Sequence, residues 1–344
     1  MTAIDTATRP TVAPGSVERI VNRLPPTSFF LTSALFHYLG PALAVLLFVH
    51  VGPMGVAWLR IAAAAVVFAL WRRPWRVITG ASRGQRLTFV GLGVALAAMN
   101  SLFYLAIARV PLATVGAIEF MGTVILAAAG ARSRRNVLAL ALAVGGVVVL
   151  TSVQLAGQPL GLAFAFANCV GFMIYIVLGH RIANTITRGA DPSGLPLSGI
   201  DQLGLAMLIA AVAATPLGLA PAVPALTHPG WLLWGIGVGV CSSVIPYVTD
   251  QLAMARLPRA TFSLMLALLP ATATVIGLIV LGQVPTVRDL AGIALVIVGV
   301  ALHRAPANAG KNPPAARPAP GQPAQPVSNR AICSAGKQQA QLHH

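Results

Sequence analysis

A single glutamate stands inside an apolar stretch of the chain. Glu119 lies in the segment GAIEFMG, residues 116–122, of a protein with only seven acidic residues. A carboxylate buried in hydrocarbon is costly unless it is paired, hydrated or protonated. Such a group can carry a proton or bind the ammonium group of a small molecule. The structural alternative is a partnership with Arg60, the one arginine in the middle of a predicted span. The functional and the structural roles are compatible if Arg60 pairs with Glu119 in one state and releases it when a proton binds.

Further polar side chains recur at helical spacing in four other apolar stretches. Each stripe fits either hydrogen bonding between helices or contact with a substrate. Asp250 is the second candidate for proton coupling, or a gate or anchor, since it lies near the end of its stretch. His37 is either a hydrogen-bonded core residue or a proton relay. The stripes are Ser33 and His37; Asn100 and Tyr104; Asn168, Phe172 and Tyr175; and Ser243, Tyr247 and Asp250.

The elements that must position these residues are membrane helices. The chain is 57% hydrophobic and 9% charged, with a mean hydropathy of +0.81. A soluble domain has about 25% charged residues, and a membrane helix needs roughly 20 mainly apolar residues. We predict an all-α polytopic membrane protein with about ten transmembrane helices. The predicted spans are 28–49, 53–71, 87–108, 112–131, 136–154, 160–179, 202–220, 230–249, 260–281 and 287–303.

The net charge of +16 reflects orientation rather than binding to nucleic acid. Placing both termini inside puts 20 of the 23 lysines and arginines on the cytoplasmic side, as cytoplasmic loops of membrane proteins require. We therefore expect a multi-pass protein of the cytoplasmic (inner) membrane with both termini in the cytoplasm. Residues 1–27 are predicted to form a cytoplasmic leader. The Pro-, Ala- and Gln-rich residues 304–344 are predicted to form a disordered cytoplasmic tail.

Two pairs of similar segments indicate an internal repeat. ARVPLAT at 108–114 shares five of seven residues with ARLPRAT at 255–261, and the stretch 134–150 resembles 287–303. Residues 28–154 and 155–303 are therefore predicted to be two five-helix units. Because each unit has an odd number of spans, the second enters the membrane inverted. Inverted repeats are typical of secondary transporters, whose substrate site lies near the midplane between the two halves.

Three longer segments carry a family resemblance. They are VGPMGVAWLRIAAAAVVFALWRRPWR at 51–76, MNSLFYLAIARVPLATVGAIEFMGTVILA at 99–127 and IPYVTDQLAMARLPRATFSLMLALLPATATVIGLIVLG at 245–282. Together they resemble the EamA branch of the drug/metabolite transporter superfamily, and most closely its threonine/homoserine exporter group. Two positions depart from that group's pattern: Leu269 stands where an acid is usual, and Gln283 where a glutamate is usual. The resemblance implies an exporter of amino acids such as threonine or homoserine.

Other classes of protein fit the sequence less well. The chain has no Gly-x-Ser-x-Gly elbow, no His-Glu-x-x-His and no Walker loop, so we do not expect an enzyme. We also expect no cofactor and no metal site, because no acid-rich cluster is present. A channel is the less favoured transport mode, since a duplicated inverted unit suits alternating access. The expected partners are a small-molecule substrate, protons and the lipid bilayer, without nucleic acid. The oligomeric state stays open.

We therefore predict a proton-coupled exporter whose site residues lie on several helices. Export of another metabolite or a toxic amphiphile is the alternative within the same superfamily. Glu119 and Asp250 are the proton-coupling candidates, and Arg60 is the candidate for a structural ion pair. The candidate substrate-binding residues are His37, Asn100, Tyr104, Asn168, Tyr175 and Tyr247.

Overall fold

Apolar stretches separated by short turns form a series of helices. The computed structural model describes residues 25–79, 81–130, 133–186, 199–256 and 268–302, and these ranges contain helices and turns without a strand. Most of the predicted leader and all of the predicted tail lie outside the described residues. The helices are α1 (Pro26–Val51), α2 (Pro53–Arg72), α3 (Arg83–Ile107), α4 (Leu112–Gly130), α5 (Arg134–Gly157), α6 (Pro159–Ile186), α7 (Gly199–Thr227), α8, α9 (Leu269–Leu281) and α10 (Val287–Leu302).

Helix α8 is interrupted in its middle. It consists of Pro229–Gly239, a π-helical turn at Val240–Val244, and Ile245–Arg256. A π-helical turn widens the backbone by one residue and often marks a functional position. A separate turn of helix, Arg76–Thr79, follows α2.

Local sequence explains where several helices begin and end. Proline occupies the first turn of α1, α2 and α8, where its missing N–H costs no hydrogen bond. The Ser82 hydroxyl oxygen accepts a hydrogen bond from the Gln85 backbone N–H, and the Gln85 side-chain oxygen accepts one from the Ser82 backbone N–H. This capping box begins α3. Gly282, with φ of 63°, ends α9 in the left-handed conformation that glycine favours.

The helices have the length and composition of membrane spans. In the described part of the chain, seven helices are long and apolar enough to cross a bilayer, and Leu112–Leu126 and Leu269–Leu281 are shorter apolar helices. The prediction of an all-α polytopic membrane protein is confirmed. The number of ten spans stays a prediction, partly because residues 257–267 lie outside the described ranges.

Helix α7 extends further than the sequence indicated. We expected a span ending near residue 220, but the helix continues to Thr227 through Pro216, Pro221 and Pro224. Membrane helices tolerate internal proline when neighbouring helices compensate for the lost hydrogen bonds. Helix α2 lies directly against this segment: a Cβ atom built on Gly55 would lie 2.7 Å from the Pro221 carbonyl oxygen.

The helices pack in pairs that correspond between the two predicted five-helix units, α1–α5 and α6–α10. Helix α3 packs on α6 and α8 on α1, α4 packs on α6 and α9 on α1, while α2 packs on α7 and α5 on α10. Glycine permits several of these contacts. A Cβ on Gly171 of α6 would lie 3.0 Å from Met99 of α3, and one on Gly40 of α1 would overlap Ser242 of α8. These close approaches place the polar stripes of α1, α3, α6 and α8 around a shared interior.

Candidate functional site

A cavity in this interior collects most of the residues singled out from the sequence. Its volume is about 50 Å³. Six helices contribute its walls, so its shape depends on their mutual packing. The lining residues are His37 and Pro41 of α1, Arg60 of α2, Met99, Asn100 and Phe103 of α3, Glu119 of α4, Asn168, Phe172 and Tyr175 of α6, and Tyr247 of α8.

Glu119 is almost completely enclosed at this cavity. It is 5% exposed, and its Oε2 atom has no hydrogen-bond partner among the described residues. Asn168, fully buried on the opposing helix α6, also leaves both amide atoms without a partner in the described part of the chain. Unbonded buried polar atoms are rare because each costs desolvation free energy, so they call for a functional explanation. Here one carboxyl oxygen and both atoms of an amide lie at a cavity without a hydrogen-bond partner in the described part of the chain.

Arg60 connects α2 to α8 rather than to α4. Its Nε donates to Ser243 Oγ at 2.9 Å, and its Nη2 donates to the Ser242 carbonyl oxygen at 3.0 Å. Its guanidinium also lies 5.3 Å from the centroid of the Tyr104 ring, in a cation–π contact. Both acceptors belong to the π-helical turn of α8.

The structure does not place Arg60 and Glu119 in an ion pair. Both are described residues and both line the cavity, yet the recorded ion pair of the described chain joins Arg72 to Asp201 at 2.7 Å. The partnership between Arg60 and Glu119 is therefore a hypothesis for another state of the protein. Arg60 has Nη1 free of hydrogen bonds within the described residues, so it can still receive an anionic group.

Two of the predicted site residues lie outside the cavity lining. Tyr104 is fully buried behind Arg60, and its hydroxyl has no hydrogen-bond partner among the described residues. Asp250 is half-buried on α8, close to the Ser33 hydroxyl of α1. Ser33 Oγ itself donates to the Pro246 carbonyl oxygen at 3.3 Å. Asp250 therefore lies at the α1–α8 contact and is not among the residues that line the cavity of Glu119.

Sequence reasoning missed Tyr38 next to His37. Tyr38 is fully buried and its hydroxyl has no partner among the described residues. A Cβ on Gly116 would lie 2.7 Å from that hydroxyl oxygen. The absence of a side chain at this position, one turn before Glu119, therefore leaves room for the tyrosine hydroxyl. The available signal was the small face of α4 around Glu119. Small residues such as Gly116 and Gly122 favour close helix approach, and Gly122 packs against Cys169 of α6.

The two departures from the family pattern have distinct surroundings. Leu269 is buried in the first turn of α9. Gln283 accepts a hydrogen bond from the Leu112 backbone N–H through Oε1 at 3.1 Å, and its own backbone N–H donates to the Gly277 carbonyl oxygen at 3.0 Å. Gln283 therefore ties the start of α4 to the end of α9.

Comparison with known proteins decides the family. The model of the EamA-like transporter family matches residues 159–304. The threonine/homoserine exporter RhtA of Escherichia coli (strain K12) is 32% identical over 290 residues, which cover 83% of this chain and 92% of that protein. This chain belongs to the EamA-like transporter family. The exporter of the same name from Salmonella typhimurium (strain LT2) is 33% identical over 264 residues, or 75% of this chain and 84% of its own.

A solved structure supports the fold of this EamA-like transporter. A protein of known crystal structure superimposes with a TM-score of 0.51 at 18% identity, over 80% of this chain and 96% of its own. At that identity the likeness concerns the fold alone. Family membership and the apolar helices together make the chain a multi-pass membrane transporter, and the family resemblance read from the sequence is confirmed.

Proposed function

We propose that this protein exports small amino acids of the threonine and homoserine type across the bacterial inner membrane in exchange for protons. The substrate class comes from the exporters that share about a third of its sequence over most of their length. The observation in the structure that supports it is the Glu119 carboxyl, whose Oε2 has no hydrogen-bond partner among the described residues, in a cavity shared with Asn168 and Arg60.

The side chains around the cavity match the groups of such a substrate. A zwitterion has an ammonium group, for which Glu119 is the acceptor, and a carboxylate, for which the free Nη1 of Arg60 is the donor. The side-chain hydroxyl of threonine or homoserine requires a partner that donates and accepts, and the Asn168 amide offers both. Buried polar groups that lose their partners discriminate strongly against ligands that lack the matching group.

Glu119 also supports coupling to protons. As a carboxylate it binds the ammonium group, and as a neutral acid it releases that group and stays in the apolar interior at lower cost. Export then requires that a proton enter from outside as the amino acid leaves. The absence of an acid at Leu269 leaves Glu119 as the principal carrier, with Asp250 as the second candidate.

The small volume of the cavity supports alternating access. An engineered protein cavity that binds benzene measures about 150 Å³, so a space of about 50 Å³ accommodates water but not a bound amino acid. The helices around it must move apart to admit substrate from the cytoplasm and again to release it outside. Such movement of two related halves around a central site is the usual mechanism of inverted-repeat transporters. The corresponding packing of α3 on α6 and α8 on α1 supports that repeat.

The test uses purified protein in liposomes with an imposed pH gradient. Wild-type protein should take up labelled threonine and homoserine in a saturable, gradient-driven manner and should show counterflow. Glu119→Gln keeps the shape of the side chain and removes the acid, so it should retain only exchange that is independent of the gradient. Asp201→Asn is the matched control, because it makes the same chemical change at the Arg72 ion pair.

Each result has a definite meaning. A Glu119→Gln variant that responds to the gradient like wild type would assign Glu119 a structural role and make Asp250 the next candidate. Uptake without saturation or counterflow would indicate a channel. If folded wild-type protein moves neither amino acid, the amino-acid substrate is wrong and another metabolite or an amphiphile must be tested.

A further inference from the structure

A second and larger cavity lies on the other side of α4. Its volume is about 160 Å³, close to the roughly 150 Å³ of an engineered protein cavity that binds benzene. It lies where the start of α4 meets the linker between α9 and α10, with Leu150 of α5 and Ile293 of α10 among its apolar walls. Thr114 at this cavity and Glu119 at the central one are five residues apart, or about 140° around the helix. The two cavities are therefore separate.

The polar groups of this second cavity have unused bonding capacity. Thr114 is 2% exposed, and its hydroxyl makes no hydrogen bond within the described residues. Gln283 uses Oε1 to accept from the Leu112 backbone N–H, which leaves its amide N–H groups free. Asp289 uses Oδ2 to accept from the Thr286 backbone N–H at 2.9 Å and the Thr286 hydroxyl at 2.8 Å, which leaves Oδ1 free.

The charge of this lining favours a cationic group. Asp289 is its charged residue, and the described lining residues include no arginine, lysine or histidine. The carboxylate is half-buried, so an ammonium group placed against it is less screened than at a fully exposed carboxylate. The Thr114 hydroxyl and the Gln283 amide can then bind the polar remainder of the ligand.

From this arrangement we infer that the second cavity is a binding site for a small molecule with a primary ammonium group, of the size of a free amino acid. In taking the same class of molecule as the central cavity, the inference rests on the proposed function. The orientation expected from the basic loops places this site at the extracellular end, beside the exit from the membrane. The headgroup of phosphatidylethanolamine has the same ammonium chemistry and is the alternative source.

The experiment counts bound threonine. Full-length protein is placed in phosphatidylcholine nanodiscs and titrated with labelled L-threonine by equilibrium dialysis. Wild type should bind two equivalents. Asp289→Asn should lose one of them, since asparagine keeps an acceptor for Thr286 but not the charge, and Glu119→Gln should lose the other. Thr114→Val should weaken the Asp289-dependent equivalent about tenfold, whereas Thr272→Val, a matched change outside the lining, should not.

The lipid source is separated in a second titration. Nanodiscs that contain phosphatidylethanolamine should still bind two equivalents if a free amino acid is the ligand. If the headgroup is the ligand, wild-type protein in these nanodiscs should bind one equivalent of threonine fewer. The Asp289→Asn variant should then also retain less phosphatidylethanolamine after purification. Melting temperatures of all variants verify that they are folded.

The outcomes separate this inference from the proposed function. A single equivalent that Glu119→Gln abolishes, with phosphatidylethanolamine retention unaffected by Asp289→Asn, would overturn the second site and leave the central one intact. Two equivalents that both survive Glu119→Gln would instead contradict the central site.

Discussion

At the scale of single residues, Arg60 joins two parts of the proposed transport machinery. It fixes the π-helical turn of α8 through two hydrogen bonds and also lines the central cavity. Hydrogen bonds from charged groups contribute about 1.5–3 kcal/mol each. A single ammonium cannot reproduce the planar fork that reaches the Ser243 hydroxyl and the Ser242 carbonyl together.

The substitution Arg60→Lys should therefore reduce threonine transport about tenfold or more, mainly by raising KM. Charge is preserved, so the loss reports geometry. Initial rates of uptake into liposomes measure it. Arg72→Lys is the matched control, because Arg72 is partly exposed in its pair with Asp201 and such pairs contribute little. Equal effects of the two substitutions would contradict the role given to Arg60.

Replacement of Tyr38 distinguishes a role of its hydroxyl in substrate binding from a role in the stability of the protein. Its buried hydroxyl has no partner among the described residues, so Tyr38→Phe should leave the melting temperature unchanged or raise it slightly. If the hydroxyl contacts substrate, the same substitution should raise KM several-fold. Thermal unfolding and uptake kinetics on one preparation test both statements. A lower melting temperature with unchanged KM would show that the hydroxyl is structural.

At the scale of helices, the contact between α1 and α8 depends on one glycine. A Cβ on Gly40 would overlap Ser242, the residue whose carbonyl oxygen binds Arg60. Gly40→Ala should therefore push α1 away from the π-helical turn and lower the melting temperature. Overpacking of this kind costs about 1–3 kcal/mol, and transport should fall with it.

The matched control for that prediction is Gly237→Ala in α8, the helix that Gly40 of α1 contacts. A Cβ at Gly237 meets no atom within 4 Å, and alanine favours helix over glycine by about 0.5–1 kcal/mol. Gly237→Ala should leave the melting temperature unchanged or raise it. If both substitutions destabilise equally, the cost arises from the loss of glycine itself and not from the α1–α8 contact.

Local sequence predicted the helices better than it predicted their irregularities. Hydropathy located the apolar helices of the described residues, because apolar length is the dominant signal of a membrane span. It did not extend α7 through three prolines, since their tolerance depends on the neighbouring α2. Nor did it predict the π-helical turn of α8, where Ser242 and Ser243 accept hydrogen bonds from Arg60, 182 and 183 residues earlier in the chain.

At the scale of the whole molecule, orientation is the prediction that the basic loops make most directly. Thr79→Cys, in the segment after α2, should resist a membrane-impermeant maleimide added to intact cells, whereas Gln158→Cys, between α5 and α6, should react. Both positions are exposed. The experiment requires a background in which Cys169, Cys241 and Cys333 are replaced. The opposite pattern of labelling would reverse the assignment of the two sides.

The candidate site was partly predictable for a physical reason. Polar groups are costly inside a membrane, so each of them is conspicuous in the sequence. Seven predicted residues, including Glu119, His37 and Asn168, line one cavity. Which of them bind each other was not predictable, because it depends on helix rotation and approach. Arg60 forms its hydrogen bonds with α8 and not with Glu119. The Tyr38 hydroxyl lies in the space that the absence of a side chain at Gly116 leaves.

The pairing of α2 with α7 limits how the molecule can move. Arg72 is joined to Asp201 at one end of this pair, and the Trp58 indole N–H donates to the Thr215 hydroxyl at 3.0 Å nearer the other. Gly218 lies so close to Trp58 that a Cβ would not fit. We expect helices that are bonded to each other along their length in this way to move as one rigid body. If α2 and α7 belong to different halves of the repeat, those halves cannot separate there and must pivot about this shared axis.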